Sequence, residues 1–570
     1  MRYLALACDY DGTLATNGVV DAATIAALER LRSTGRRLIL VSGRQLEDLH
    51  GVFPHLNLFE RVVVENGALL YRPATQEEKR LGEAPPREFI EALRQRKVTP
   101  LSVGRSIVAT WRPQETTVLE VIEALGLELA VIFNKGAVMV LPPGVNKASG
   151  LVAALKELGL SPHNVVGIGD AENDHAFLNL CECSVAVGNA LPMVKERADF
   201  STVADRGAGV VELIEKLVAD DLRELEPLLT RHEILLGIRD NGLEVRLKPY
   251  GNGVLIAGTS GSGKSTIATG ILERLADRGY QFCLIDPEGD YENLESAIIT
   301  GGSDRPPSVD EVLQLLERPE ENVVVNLLGL SVEDRPAFFD ELFPRLQELR
   351  AQTGRPHWIV IDEVHHLLPT NWDHASFMLP QNVSGLLFIT VSPEHVAPAA
   401  LSSVDAVIGI GQRPDQTISR FHQALGHEPA PGPPVTLEPG EALLWLRHEG
   451  AEPVRIRVEP PQAERRRHRR KYAEGELGPD KSFYFRGPEG KLNLRAQNLI
   501  LFLQLAEGVD DQTWMYHLRQ GDYSRWFREA IKDADLADEA CRLERLPEVT
   551  PAESRAGIRA TIEARYTLPA

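Results

Sequence analysis

Leu4-Ala5-Leu6-Ala7-Cys8-Asp9-Tyr10-Asp11-Gly12-Thr13-Leu14 is an apolar run that ends in two acids spaced two residues apart. The run reads as a buried first strand, and residues two apart in an extended segment face the same side. Both carboxyl groups can therefore reach one pocket, with Gly12 allowing the tight turn. A carboxylate nucleophile splits phosphoryl transfer into two steps, and a second acid can protonate the leaving oxygen. Three further segments, each after an apolar run, offer matching groups. Ser42, in Val41-Ser42-Gly43-Arg44, brings a hydroxyl, and Lys147, in Gly144-Val145-Asn146-Lys147, brings a point charge for a phosphate. Asp170 and Asp174, in Gly169-Asp170-Ala171-Glu172-Asn173-Asp174, can complete an oxygen-ligand site for Mg²⁺.

These four elements, in this order and each after an apolar run, resemble the haloacid dehalogenase superfamily of phosphatases over roughly residues 1–219. The resemblance implies that Asp9 is the nucleophile and Asp11 the general acid/base. It implies that Ser42, Gly43, Arg44, Lys147 and Asn173 hold the phosphoryl group. Asp170 and Asp174 then hold Mg²⁺ alongside Asp9 and the carbonyl of Asp11. An insertion at about residues 73–141 reads as a small α/β cap, with helix-like Pro86-Arg96 and Thr117-Leu125 and strand-like Ser106-Trp111, Leu129-Phe133 and Ala137-Leu141. Together with Glu65-Asn66-Gly67-Ala68, this short cap resembles the type IIB subgroup acting on sugar phosphates and phosphoglycolate. Arg105 or Arg112 is then a candidate for a substrate carboxylate.

A second phosphate-handling set follows. Gly258-Thr259-Ser260-Gly261-Ser262-Gly263-Lys264-Ser265-Thr266 lies after apolar Val254-Ala257 and opens a helical run, the context a phosphate loop needs. Its glycines let backbone amides wrap the phosphates of ATP, Lys264 reaches the outer phosphates, and Ser265 helps hold Mg²⁺. Trp358-Ile359-Val360-Ile361-Asp362-Glu363 is a buried strand ending in two acids; Asp362 suits the metal and Glu363 can activate water. With Asp286-Pro287-Glu288-Gly289-Asp290-Tyr291 and Ile234-Leu235-Leu236-Gly237, these residues resemble the HerA/FtsK-like motor ATPases over about residues 232–458. That resemblance implies a RecA-like domain working as a homo-oligomer, a hexamer being one form, with Arg413 and Arg420 as candidate fingers. Thr390-Val391-Ser392 lacks the glutamine often found at that strand end.

At 570 residues the chain exceeds what a single core supports, and 43% hydrophobic and 25% charged residues are ordinary for a globular protein. No apolar run is long enough to span a bilayer, and the N-terminus does not read as a signal peptide. Cys8, Cys181, Cys183, Cys283 and Cys541 show no paired ligand spacing, which favours a reduced cytoplasmic protein. A formal charge of −21 argues against general nucleic-acid coating and leaves any such contact to local patches such as Arg465-Lys471.

The expected architecture is α/β: the Rossmann-like phosphatase core with its cap, a helical linker at 220–231, the P-loop domain, a basic linker at 459–480, and a mainly helical domain at 481–570. In that last domain Trp514, His517, Asp522, Tyr523 and Trp526 cluster, and a packed aromatic core explains them best. The expected activity is bifunctional: a Mg²⁺-dependent phosphomonoesterase for a small phosphorylated metabolite, fused to an ATPase. The alternative is an ATP-driven nucleic-acid motor in defence or repair, whose phosphatase domain trims ends or senses a ligand.

Overall fold

Short apolar runs become the inner strands of two large sheets, as expected where helices cover both faces. The structure is a computed structural model describing residues 1–251, 253–370, 385–427, 434–447, 452–462, 477, 482–488, 490–531 and 533–566. Arg465-Lys471 and most of the basic linker lie outside the described residues.

The first sheet begins with parallel β1 (Ala5–Cys8), β2 (Arg37–Val41) and β3 (Arg61–Val64), then turns back through antiparallel β4 (Leu69–Arg72) and β5 (Glu77–Arg80). The cap follows as an antiparallel sheet of β6 (Ser102–Val103), β7 (Val108–Trp111), β8 (Ala130–Asn134) and β9 (Ala137–Leu141), ordered β6-β7-β9-β8. Helices Arg87–Gln95 and Glu115–Leu125 supply Phe89, Leu93, Val118 and Val121 to its core. The chain then returns through β10 (Val165–Gly169), β11 (Cys183–Ala186) and β12 (Phe200–Ser201), giving the order β12-β11-β10-β1-β2-β3-β4-β5.

Two expected boundaries move. The cap does not start near residue 73, because Glu77-Glu78-Lys79-Arg80 pairs with β4 as the exposed edge of the core sheet. Such an edge is blunted by charge and carries no apolar alternation to betray it. The helical linker at 220–231 is mostly not a helix. Helix Arg206–Asp220 stops where Asp221 and Leu222 turn left-handed, with φ near 60°, and only a 3₁₀ turn at Arg223–Leu228 follows.

The second sheet contains β13 (Ile234–Arg239), β14 (Glu244–Leu247), β15 (Gly253–Gly258), β16 (Phe282–Asp286), β17 (Ile298–Gly301), β18 (Val323–Asn326), β19 (Trp358–Ile361), β20 (Leu386–Thr390), β21 (Ala406–Ile410), β22 (Glu441–Leu446) and β23 (Val454–Val458). Its order is β14-β13-β23-β22-β21-β15-β20-β19-β16-β18-β17. Strands β21 to β17 run parallel, and β20 separates the strand feeding the phosphate loop from the one ending at Asp362.

The two sheets meet at their amino ends. Arg2 precedes β1, His163 precedes β10 and Glu182 precedes β11; opposite them Tyr280 precedes β16 and His357 precedes β19. Glu182 accepts from Arg2 (2.5 Å), from His163 Nδ1 (2.7 Å) and from the Tyr280 hydroxyl (2.6 Å). His163 stacks on Tyr280 with ring centroids 3.7 Å apart, and its Nε2 lies 2.7 Å from the Arg278 carbonyl. Arg355 donates across the seam to the Gly159 carbonyl (2.9 Å). Burial alone would raise Glu182, but His163 and Arg2 hold it well below the usual carboxylate range. His163, Glu182 and His232 also gather closely enough to suggest a metal. Both His163 ring nitrogens are already engaged, Nδ1 with Glu182 at 2.7 Å and Nε2 with the Arg278 carbonyl at 2.7 Å, so hydrogen bonds account for the cluster without an ion.

Residues 460–570 form a separate compact unit. A hairpin of β24 (Phe483–Phe485) and β25 (Leu494–Ala496) packs with helices Leu499–Gly508, Asp511–Arg519, Ala534–Arg545 and Pro551–Tyr566. Phe483, Phe485, Phe502, Trp514, Tyr523 and Phe527 form its aromatic core. His517 is buried; its Nδ1 meets Asp522 at 2.8 Å, while its Nε2 accepts the Arg486 backbone N–H at 3.0 Å. Both ring nitrogens are thereby occupied in tying the hairpin to the helices. No helix among the described residues is long and apolar enough to cross a membrane.

Candidate active sites

The first site is built at the carboxyl ends of β1, β2 and β10, where open α/β sheets place ligands. Asp9 is held by its backbone N–H to the Ile168 carbonyl (3.0 Å) and is nearly fully buried. Lys147 opens helix Lys147–Leu158, whose N-terminus is fixed by a capping box between Asn146 and Ser149. Its ammonium donates to Asp9 (2.6 Å) and to Asp174 (2.5 Å). The other Asp174 oxygen accepts the backbone N–H groups of Asp170 and Ala171, both at 2.9 Å. Burial and the neighbouring Asp174 push Asp9 well above the ordinary carboxylate range, with Lys147 opposing. Burial works against the Lys147 charge, but Asp174 and Asp9 more than offset it and raise the ammonium above its usual value.

Asp9, Asp170 and Asp174 bring one carboxylate oxygen each within 4.8 Å of one another. Asp170 Oδ1 is buried without a hydrogen-bond partner among the described residues. Clustered hard oxygens with one left unsatisfied fit a small divalent cation such as Mg²⁺.

The structure corrects one role in this set. Arg44 is expected among the phosphate-binding residues, but its guanidinium grips Asp11 through two bonds (2.6 and 2.7 Å) and Asp48 through a third (2.6 Å). It positions the second carboxylate. The Ser42 hydroxyl lies at the end of β2, accepting the Arg44 N–H at 3.1 Å. Gly43 lies beside Asn173, whose side chain donates to Asn66 at 3.0 Å.

A cavity of about 600 Å³ separates core from cap, lined by Asp9, Asp11 and Lys147 below and by Thr110, Trp111 and Lys135 above. Arg105 is tied to Glu47 (2.6 Å) and Glu78 (3.1 Å), and Arg112 stacks over Phe133. Lys135 is the cap cation that reaches the carboxylates, 2.7 Å from Asp170. Glu65 fastens cap to core: its buried carboxylate accepts backbone N–H bonds from Arg105 (2.8 Å), Ser106 (2.8 Å) and Ile107 (3.1 Å). Asn189 steadies the catalytic turn by donating to the Gly12 carbonyl at 2.8 Å.

The second site lies between β15 and helix Lys264–Asp277. Gly261 and Gly263 take φ of 73° and 100°, which turns successive N–H groups of the loop from Gly258 to Thr266 into a concave cradle. Lys264 is buried and lies 4.0 Å from Glu363. Ser262 Oγ is buried without a partner among the described residues, as suits a loop shaped for an anion. Thr259 and Ser260 complete the loop, and the Ser265 hydroxyl meets Asp290 at 3.0 Å. Asp362 directly follows β19; burial, then Glu363, pushes it up to about 8. Glu363 sits left-handed at φ 41°, and burial raises it too, against Lys264. Asp286 is a turn-former, accepting four backbone N–H bonds from Glu288 to Tyr291. Thr390 lies 3.1 Å from His365. Arg413 and Arg420 are half-exposed and paired locally with Asp415 (2.8 Å) and Glu394 (3.2 Å).

The model for haloacid dehalogenase-like hydrolases matches residues 6–120 and 120–214. A Saccharolobus solfataricus protein described as phosphoglycolate phosphatase 2 is 32% identical over 222 residues, covering 38% of this chain and 93% of that protein. A phosphoglycolate phosphatase of Halorubrum lacusprofundi is 33% identical over 211 residues, covering 35% of this chain and 90% of that one. The chain belongs to the haloacid dehalogenase-like hydrolases. Its hydrolase half is followed by a match to the central domain of helicase HerA over residues 243–358, so the two families are fused in one polypeptide. In this hydrolase the motif residues are legible because Asp9, Ser42 and Asp170 each follow a strand directly and Lys147 opens a helix beyond an apolar run. The cap-fastening role of Glu65, and any role for Lys135 and Asn189, are not legible there, since only tertiary packing brings these side chains to the site; the Lys135-Gly136 turn between two β runs is a local signal for Lys135.

Proposed function

We propose that the hydrolase half is a Mg²⁺-dependent phosphomonoesterase for a small phosphorylated acid of the phosphoglycolate kind. The observation that carries this is Asp9 leaning on Lys147 beside Asp170 and Asp174, under a cap that closes a cavity of about 600 Å³. Asp9 attacks phosphorus and forms an aspartyl-phosphate as the ester oxygen leaves. Asp11, held by Arg44, gives that oxygen its proton and then takes one from the water that hydrolyses the acyl phosphate. Ser42 and Lys147 hold the phosphoryl oxygens. Mg²⁺, held by Asp9, Asp170, the Asp11 carbonyl and, through the turn it braces, Asp174, would neutralise phosphoryl charge. Lys135, rather than Arg105 or Arg112, is the cap residue placed to meet a substrate carboxylate.

The P-loop half binds and hydrolyses ATP, with Lys264 on the phosphates, Ser265 and Asp362 toward Mg²⁺, and Glu363 activating water. The HerA likeness supports a homo-oligomer, and also a second reading in which ATP hydrolysis drives movement on nucleic acid. The buried free thiols support a reducing, cytoplasmic setting. A screen of phosphorylated small acids for phosphate release, run with and without ATP and with and without DNA, tests both readings. Preference for a carboxylate-bearing ester supports the first, DNA-stimulated ATP hydrolysis the second, and no ester cleavage at all would overturn the phosphatase assignment.

A further inference from the structure

Lys135 sits at the tip of the β8–β9 hairpin, where Asn134 pairs with Ala137 and only Lys135 and Gly136 make the turn. Both take positive φ, 48° and 91°, as the tight hairpin turn matching strand twist requires. The turn therefore aims one long, flexible cation from the cap into the core. Its ammonium lies 2.7 Å from Asp170 Oδ2 and 3.4 Å from the Asp11 carbonyl oxygen. Gly12 makes room for this contact, since a side chain there would collide with both the Asp170 carboxylate and the Lys135 ammonium.

Asp170 belongs to the carboxylate set read as the divalent-cation site, with the Asp11 carbonyl assigned to the same ion, and the inference rests on that reading. An ion on these groups would sit close to the ammonium, and like charges at that range repel, so a cation that is free to move gives way. The other cations of the site are fixed: Lys147 is 2% exposed between Asp9 and Asp174, and Arg44 is forked onto Asp11 and Asp48. Lys135, 46% exposed and mounted on the cap, is the one free to leave. Without it, Asp9, Asp11, Asp170 and Asp174 would face each other with only Arg44 and Lys147 to balance them.

We infer that Lys135 is a tethered counter-ion that competes with the divalent cation for Asp170 and the Asp11 carbonyl, so that cap position and metal occupancy are linked. Metal entry displaces the ammonium into the cavity below Thr110 and Trp111. There it becomes available to an anionic group on a substrate. The cap lysine thus balances these carboxylates whenever no ion is bound and is released by the ion that activates them.

The test uses the full-length protein and Mn²⁺ as probe, with affinity read by calorimetry for wild type, Lys135→Met, Lys135→Arg and Asp170→Asn. Lys135→Met should bind Mn²⁺ about tenfold tighter or more, and Lys135→Arg should stay near wild type. A second readout is acylation of Lys135 by an amine reagent, followed by mass spectrometry: its rate should rise several-fold when Mg²⁺ is added. Equal Mn²⁺ affinity in wild type and Lys135→Met, or an acylation rate indifferent to Mg²⁺, overturns the competition. Wild-type Mn²⁺ binding by Asp170→Asn overturns the metal reading itself, and the inference with it.

Discussion

Asp9 lines the cavity and leans one carboxylate oxygen on Lys147, so its replacement isolates the chemistry. Asp9→Asn should abolish ester hydrolysis, by roughly 10⁴-fold or more, because an amide cannot form the acyl phosphate. ATP hydrolysis should stay near wild type, since that site is built on another sheet; a parallel loss of both activities would contradict the assignment. In the second site, Lys264→Ala and Glu363→Gln should differ in kind. The first removes a phosphate contact and weakens binding of a fluorescent ATP analogue. The second keeps binding and slows phosphate release, because only activation of water is lost. Equal affinity losses would deny Glu363 its role. At this scale the sequence was most readable: Asp9, Ser42 and Asp170 each follow a strand directly, which fixes where a side chain points, and Lys147 and Lys264 each open a helix beyond an apolar run. Arg44 shows the limit. Its motif predicted a phosphate contact, but its guanidinium found two carboxylates whose positions no local pattern reveals.

Elements were legible in proportion to their burial. The inner strands β15, β16, β19, β20 and β21 coincide closely with apolar runs, whereas β5 and β17, at the sheet edges, have none that stands out. Helix Lys147–Leu158 shows how an edge is secured: Glu157 pairs with Arg61 of β3 (2.9 Å), Arg72 of β4 (2.8 Å) and Lys79 of β5 (3.1 Å). Arg72 first, then Lys79 and Arg61, hold the Glu157 carboxyl at about 2, down from 4.5. A depressed carboxylate stabilises the fold above its unfolded value and loses that contribution as pH falls through its folded value. Glu157→Gln should therefore lower the unfolding temperature at pH 7, and the deficit should shrink between about pH 4.5 and 2. A deficit unchanged across that window would mean packing, not charge, is what Glu157 supplies.

For the two catalytic domains together, Glu182 is the critical side chain at the seam between sheets. Removing one partner of a buried ionic network commonly costs about 3–5 kcal/mol, because the remaining charges lose their compensation. Glu182→Ala should strand Arg2 and His163, and calorimetry should show residues 1–459, expected to unfold together in the wild type, unfolding in two transitions. One unshifted transition would mean the apolar contacts alone hold the domains. This seam was invisible in the sequence, since Arg2, His163, Glu182, Tyr280 and His357 are scattered over more than half the chain and carry no motif.

That seam joins the amino ends of both sheets, while each phosphate-handling site opens at the carboxyl ends. The two mouths therefore face away from each other. A product leaving one must dilute into bulk solution before it can meet the other, so the fusion cannot protect a labile intermediate in transit. What it does enforce is a ratio and an address: one hydrolase domain for every P-loop domain, carried wherever that domain goes, with each pocket free to diverge without disturbing its neighbour.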